Sequence, residues 1–201
     1  WVDEKDMYEA HSIIISTGAS AKWLGLKNEI RLRDLGGGVS ACAVCDGFFY
    51  RGQEVALVGA GDTAAEEATY LAKMCKKVHM LVRRDEMRAS KIMQQRVFDT
   101  ENIEVHWNTE TLDVLGDQTV EGIRVVNNQT KEESTIEVTG FFVAIGHKPN
   151  TGIFKGWLDM DDTGYLKHKP DSTHTNIEGV FVSGDAGDKV NRQAVTAAGT
   201  G

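Results

Sequence analysis

The sequence predicts an α/β protein built on a parallel, doubly wound sheet. Three observations point there. Between residues 54 and 105 the pattern runs strand, helix, strand, helix, strand. A G-x-G-x-x-A turn joins the first of these strands to the first helix. An apolar return strand, residues 141–145, then follows a polar insertion. Alternation of this kind produces crossover units, and crossover units produce parallel sheets.

The elements follow in order. Short apolar, β-branched runs at 13–15, 55–58, 78–82, 103–105, 141–145 and 180–182 have strand length and composition. Residues 63–73 and 89–99 carry helical spacing. Residues 119–126 and 134–138 are more polar and flank Asn127-Asn128-Gln129-Thr130. They predict an antiparallel hairpin inserted ahead of the return strand. The central unit, 49–147, therefore reads as a complete nucleotide-binding domain with a cysteine pair at its N-terminal edge. The flanks, 1–48 and 148–201, are each too short for a domain. They read as two parts of one second domain interrupted by the first, with crossovers near 48–51 and 146–150. The chain opens on Trp1, and its last residues, from Gln193, read as a helix just starting, so both ends are expected to be cut from something longer.

Composition narrows the function. The 201 residues are 41% hydrophobic and 26% charged, an ordinary globular balance. No apolar run approaches the roughly 20 residues of a membrane helix. The 22 basic and 30 acidic residues leave a net charge of −8, which argues against a nucleic-acid binder. Three cysteines are too few for a secreted disulfide framework, so a cytoplasmic location is expected.

Two sets of residues carry chemistry. In the first, Gly59 permits a tight turn and Gly61 lets backbone approach a pyrophosphate. Ala64 is small enough for the helix to pack on the sheet, and the helix start offers free N–H groups to phosphate. At the tip of the second strand an NAD site usually places an acid for the ribose 2′-hydroxyl. Here the tip reads Arg83-Arg84-Asp85-Glu86-Met87-Arg88. Guanidinium forks suit a 2′-phosphate, so the expected dinucleotide is NADPH. The competing account is a solvated cluster pairing with Asp85 and Glu86. In the second set, Cys42-Ala43-Val44-Cys45-Asp46 is a C-x-x-C followed by an acid. Two thiols at this spacing can close a small disulfide ring, and Asp46 can serve as a proton donor or as a helix cap. Zinc would need a second ligand pair, and the remaining cysteine, Cys75, reads as a packed helix residue, so no metal is expected.

Taken together and in order, Cys42 to Tyr50, the G-x-G-x-x-A turn with Glu66-Glu67, Arg83-Arg84 with Arg88-Ala89, Gly146-His147-Lys148-Pro149-Asn150 and Gly184-Asp185 resemble the low-molecular-weight thioredoxin reductase family. The resemblance runs along essentially the whole chain. It implies a Rossmann-like NADPH-binding domain inserted into an FAD-binding domain, here incomplete, with a rotation between the two. It implies electron transfer from NADPH through FAD to the Cys42–Cys45 disulfide and on to thioredoxin, in a homodimer. The family cysteine matching Cys45 lies against the flavin, the one matching Cys42 attacks the partner's disulfide, and the acid matching Asp46 protonates during exchange. The nucleotide-side positions are Gly59, Gly61, Asp62, Thr63, Ala64, Glu67, Arg83, Arg84, Arg88, Ile145 and Gly146. The FAD-side positions are Gly18, Asp185, Arg192, Gln193 and Ala194. Two departures stand out. A family histidine ahead of the arginine pair is Val82 here, and no strand with G-x-G-x-x-G for the FAD pyrophosphate is found. That unit, of order a hundred residues, is expected upstream. Two other readings share these motifs: the flavoprotein reductase component of a peroxidase system, and a non-catalytic NADPH-binding fragment.

Overall fold

The structure, a computed structural model, describes residues 5–200. They fall into two compact units. One takes in the described residues up to Ala21 and from His147 onward; the other is Lys22–Gly146.

The chain begins in the first unit with β1 (Ile13–Ile15) and β2 (Ala19–Ala21). It then enters the second unit through α1 (Lys27–Asp34). This helix has few apolar positions, and its start is organised by one buried carboxylate. Glu29 accepts from the N–H groups of Leu24, Gly25 and Leu26 at 3.0, 2.8 and 3.0 Å. The Leu26 N–H is the helix's cap donor, and the other two belong to the turn that leads into it. A glycine turn leads to β3 (Val39–Ser40) and the single-turn α2 (Ala43–Asp46). The crossover run follows as β4 (Glu54–Val58), α3 (Asp62–Ala72), β5 (Lys77–Leu81), α4 (Lys91–Phe98) and β6 (Ile103–His106). Next come β7 (Thr109–Leu115), β8 (Gly122–Asn127), β9 (Glu133–Ile136) and the return strand β10 (Gly140–Val143).

The main sheet is five-stranded and parallel, in the order β3-β10-β4-β5-β6. Alternation along the strands divides its residues between two cores. Val55, Leu57, Val78, Met80 and Phe142 pack against Ala64, Ala65, Ala68 and Leu71 of α3 and Val97 of α4. On the other face Ala56, Leu81, Phe141 and Val143 meet Leu32 of α1 with Val114, Ile123 and Val125 of the antiparallel β7-β8-β9 sheet. The α/β class with a parallel sheet expected from the sequence is observed, but the crossover helices α3 and α4 cover only one face, and the antiparallel sheet with α1 takes the place of helical winding on the other.

Two details differ from the sequence reading. The antiparallel insertion has three strands, because β7 joins the expected hairpin after a reversal in which Asn108 takes φ +53°. The second unit also reaches back to Lys22, well before the expected crossover at 48–51. The cause is pairing and packing: β3 hydrogen-bonds to β10, and Leu32 is buried in the same core as Phe141.

In the first unit, β11 (His147–Pro149) pairs antiparallel with β2, and β12 (Val180–Val182) pairs parallel with β1. A small core of Ile15, Leu158, Leu166, Val182 and Ala186 lies there, and α5 (Ala194–Gly199) ends the described chain. Among the described residues, no helix is long and apolar enough to cross a membrane.

Candidate active site

Cys42 and Cys45 are joined by a disulfide, with their Cα atoms 5.3 Å apart. Cys42 occupies the cap position of α2, and its sulfur accepts from the Cys45 N–H at 3.2 Å. Ser40, at the end of β3, fixes this turn. Its hydroxyl accepts from the Cys42 N–H at 3.0 Å and lies 2.6 Å from the Asp46 carboxylate. Hence Asp46 is held next to the disulfide by a side chain from the parallel sheet. The aromatic ring of Tyr50 packs edge-on against Phe142 at 5.4 Å. Burial, with the Asp46 charge adding to it, raises the Tyr50 phenol above its ordinary value. Val44, Phe48 and Phe49 stand exposed around the pair, the two phenylalanines at 65% and 72%.

The second group gathers where β4 and β5 end. A cavity of about 290 Å³ is lined by Gly59, Ala60, Arg83, Arg84, Glu86, Arg88 and Ile145, with Leu24, Val58 and Leu81 behind them. A neighbouring hollow of about 340 Å³ has Arg83 and Arg84 on one side and Asn108, Asn128 and Gln129 on the other. Among the described residues, none of the guanidinium groups of Arg83, Arg84 and Arg88 forms an ion pair, so the self-paired cluster is not what is observed. A Cβ on Gly59 would sit 2.7 Å from the Ala64 Cβ and closer still to the Ala144 carbonyl oxygen, whereas a Cβ on Gly61 would meet open space. Gly61 caps α3, and Asp62 turns aside to accept from the Ser90 N–H at 2.7 Å. That bond, and a further one with the Ser90 side chain, lowers the Asp62 carboxyl. Thr63 follows at the exposed helix start. Ala64 is packed beneath Gly59 and Glu67 lies a turn further along α3; neither lines the cavity. Gly146, beside Ile145, takes φ +98°.

In the first unit, a hollow of about 350 Å³ collects Gly18, Asp185, Arg192, Gln193 and Ala194, together with Ser16, Ser183, Gly184 and Ala197. All five FAD-side positions named from the sequence therefore meet in one place. Gly18 takes φ +69° with open space above it. Arg192 holds φ +47°, uncommon for a residue with a side chain, and its guanidinium donates to the Lys189 carbonyl.

Sequence reasoning missed several residues. Ser40 gave no motif, because a serine near a cysteine pair is unremarkable until the turn closes. Asn108 and Asn128 hold the arginine loop by its backbone: the Asn108 N–H donates to Arg84 O at 3.0 Å and the Asn128 amide to Arg83 O at 2.8 Å. Asparagines in turns were the available signal. His79 of β5 and Glu104 and His106 of the adjacent β6, 25 or more residues on in sequence, also come together.

A family model described as pyridine nucleotide-disulphide oxidoreductase matches residues 2–201. The chain is 50% identical over 197 residues to a protein of Rickettsia conorii named thioredoxin reductase, covering 96% of this chain and 63% of that protein. It is 50% identical over 202 residues to one of Dictyostelium discoideum, covering 99% and 63%. Among solved structures, a thioredoxin reductase from Streptococcus pyogenes superposes with a TM-score of 0.88 at 37% identity, covering 98% of this chain and 63% of that one. One from Giardia duodenalis gives 0.85 at 41% identity, covering 94% and 62%. The chain thus spans somewhat less than two thirds of the length of the relatives it matches. With its parallel nucleotide-type sheet, its disulfide and a family model spanning nearly every residue, the chain belongs to the pyridine nucleotide-disulphide oxidoreductase family.

Proposed function

We propose that this chain carries the dithiol-exchange and dinucleotide-binding parts of an NADPH-dependent, FAD-containing thioredoxin-disulfide reductase. The observation that carries the reading is the Cys42–Cys45 disulfide, set beside Asp46, in the same compact unit as a cavity rimmed by three unpaired arginines. The residues present fit both groups. Above Gly61 a side chain would occupy open space, which is where a pyrophosphate approaches backbone, and Arg83, Arg84 and Arg88 offer donors to a 2′-phosphate. Gly18, with its own open space, lies in one hollow with Asp185, whose carboxylate can accept from hydroxyls, and with Arg192, Gln193 and Ala194. When bound, the two groups supply the hydride and the two-electron relay that open the disulfide.

The chain's own residues account for the exchange step. Once reduced, the Cys42 thiolate keeps the Cys45 N–H as a donor, which favours its charge. It attacks one sulfur of the partner's disulfide, forming a mixed disulfide and releasing a partner thiolate that takes a proton. Cys45 then attacks the Cys42 sulfur, closes the ring again and releases the second partner thiolate, which is also protonated. Two electrons and two protons leave with the partner. Asp46, one residue after Cys45 and held by the Ser40 hydroxyl, is the acid assigned to that transfer. The exposed Val44, Phe48 and Phe49 offer the apolar rim that a protein substrate, rather than a small disulfide, would cover. The reading places the protein in a reducing compartment, the cytoplasm, and takes the assembly as a homodimer from the resemblance alone.

A trapping experiment tests it. The reduced Cys45→Ser variant, mixed with oxidised thioredoxin, should accumulate a covalent conjugate through Cys42, resolved on a non-reducing gel and released by reductant. The Cys42→Ser variant should give none. Absence of the conjugate, or equal conjugates from both variants, would falsify the assignment.

A further inference from the structure

Five ionisable residues share one face of the parallel sheet. Alternation puts Val55, Val78, Met80, Ile103 and Val105 toward the helical core, which leaves Glu54, Lys77, His79, Glu104 and His106 on the opposite face. Register then brings them together: His79 lies across from Glu104, and His106 lies across from Leu81, two residues further along β5. The Nδ1 of His79 is 3.0 Å from the Nε2 of His106. Glu104 closes the triangle, with Oε1 3.7 Å from His106 Nε2 and Oε2 3.9 Å from His79 Nδ1.

We propose that His79 Nδ1, His106 Nε2 and the Glu104 carboxylate form a binding site for a divalent first-row cation of the zinc class, with water or an external donor completing the coordination. Zinc holds nitrogen and oxygen ligands at about 2.0–2.2 Å, so neighbouring donors of a tetrahedral site stand roughly 3.3 Å apart. The two imidazole nitrogens stand 3.0 Å apart and Glu104 Oε1 stands 3.7 Å from His106 Nε2, on either side of that value, and one donor atom from each of the three residues lies within 4.8 Å of the others. Two imidazoles and one carboxylate are also the donor set that zinc and its neighbours select, whereas magnesium and calcium prefer oxygen alone.

The surroundings argue the same way. Metal-bound histidines characteristically give their other ring N–H to a carboxylate, and ligating carboxylates are themselves hydrogen-bonded. His79 Nε2 is 3.3 Å from Glu54 Oε2, so Nδ1 is left with its lone pair toward the triangle. Glu104 is paired through Oε2 with Lys77, which leaves Oε1 on the His106 side. His106 carries its proton on Nδ1 when Nε2 faces the ion. His79 is buried, His106 half-buried and Glu104 exposed, an arrangement in which the ion reaches the site from solvent and ties β5 to the edge strand β6.

Zinc titration of the chain by calorimetry tests the assignment. Chelator-treated protein is used with the Cys42–Cys45 disulfide intact, so that those thiols cannot compete. One zinc ion per chain is expected. His106→Asn and Glu104→Gln, at positions exposed enough to keep the fold, should each lower the affinity at least tenfold. Glu54→Gln, which touches no donor of the ion, should lower it by about 10- to 100-fold. His168→Asn, away from the triangle, should leave it unchanged. Cobalt added in place of zinc should give the visible absorption of a low-coordinate nitrogen–oxygen site in the parent and lose it in His106→Asn. The rival account is a structural hydrogen-bond chain from Glu54 through His79 to His106, which takes up no ion. No zinc uptake by the parent, or uptake undiminished in both His106→Asn and Glu104→Gln, would overturn the site.

Discussion

Gly59 and Gly61 sit two positions apart and respond differently to a side chain. A methyl group at Gly59 runs into Ala64 and the Ala144 carbonyl, so Gly59→Ala should lose about 1–3 kcal/mol of stability, measured by denaturant unfolding. A methyl group at Gly61 meets open space, so Gly61→Ala should unfold like the parent and yet bind NADPH more weakly. If Gly61→Ala binds nucleotide as the parent does, the pyrophosphate does not lie over that residue. The glycines were readable in the sequence because their spacing carries a backbone requirement. Ser40 was not, because its role exists only once β3 and α2 bring its hydroxyl to Asp46. Cys75 separates in the same way from the redox pair. It is 5% exposed, and burial pushes its thiol up to about 11. Its raised value keeps it protonated across the neutral range, with thiolate appearing only near that pH. Alkylation of the reduced, folded protein at pH 8 should therefore modify Cys42 and Cys45 and spare Cys75 until denaturant is added, as peptide mass mapping would show.

The crossover elements were legible because their strands carry short runs rich in β-branched and apolar residues and their helices carry apolar residues at helical spacing, alanines in α3 and larger side chains in α4. β4, α3, β5, α4 and β6 all fall within a few residues of their expected limits. α1 was not legible: its charged sequence hides a helix start held by the buried Glu29, and only tertiary burial of Leu32 makes it worthwhile. The loop around Asp161 belongs to this class of locally invisible structure. Burial pushes the Asp161 carboxyl up, but hydrogen bonds from Lys189, Thr163 and Tyr165 outweigh it and hold the group well below the usual carboxylate range. A depressed folded-state value gives stability that is complete above the unfolded value, about 3.9, and is lost as pH falls toward the folded one. Asp161→Asn should therefore cost about 1–2 kcal/mol at pH 7 and progressively less below pH 4, with the two melting curves converging in acid. A constant difference at all pH values would mean that shape, not charge, holds the loop.

At the scale of the whole chain, the interrupted organisation could be inferred because the flanks are too short to fold alone. Where the inserted unit begins could not, since the β3–β10 pairing that recruits residues from Lys22 onward joins segments about a hundred positions apart. Charge is likewise a property of the whole. A molecule with a net charge of −8 repels anions at long range, yet three unpaired arginines concentrate positive charge at the tips of β4 and β5. A ligand that binds only the folded state adds about 2.7 kcal/mol at a hundredfold excess over its Kd, so nucleotide binding should raise the melting temperature. NADPH should raise it more than NADH at equal concentration, because only NADPH presents the 2′-phosphate to the guanidinium forks. The arginines are exposed, so the difference should shrink as salt shortens the Debye length from about 10 Å at 0.1 M to about 3 Å at 1 M. Arg83→Ala and Arg84→Ala should abolish most of it at low salt while leaving the smaller NADH shift in place. Equal shifts from the two nucleotides in the parent would remove the arginine trio from cofactor selection.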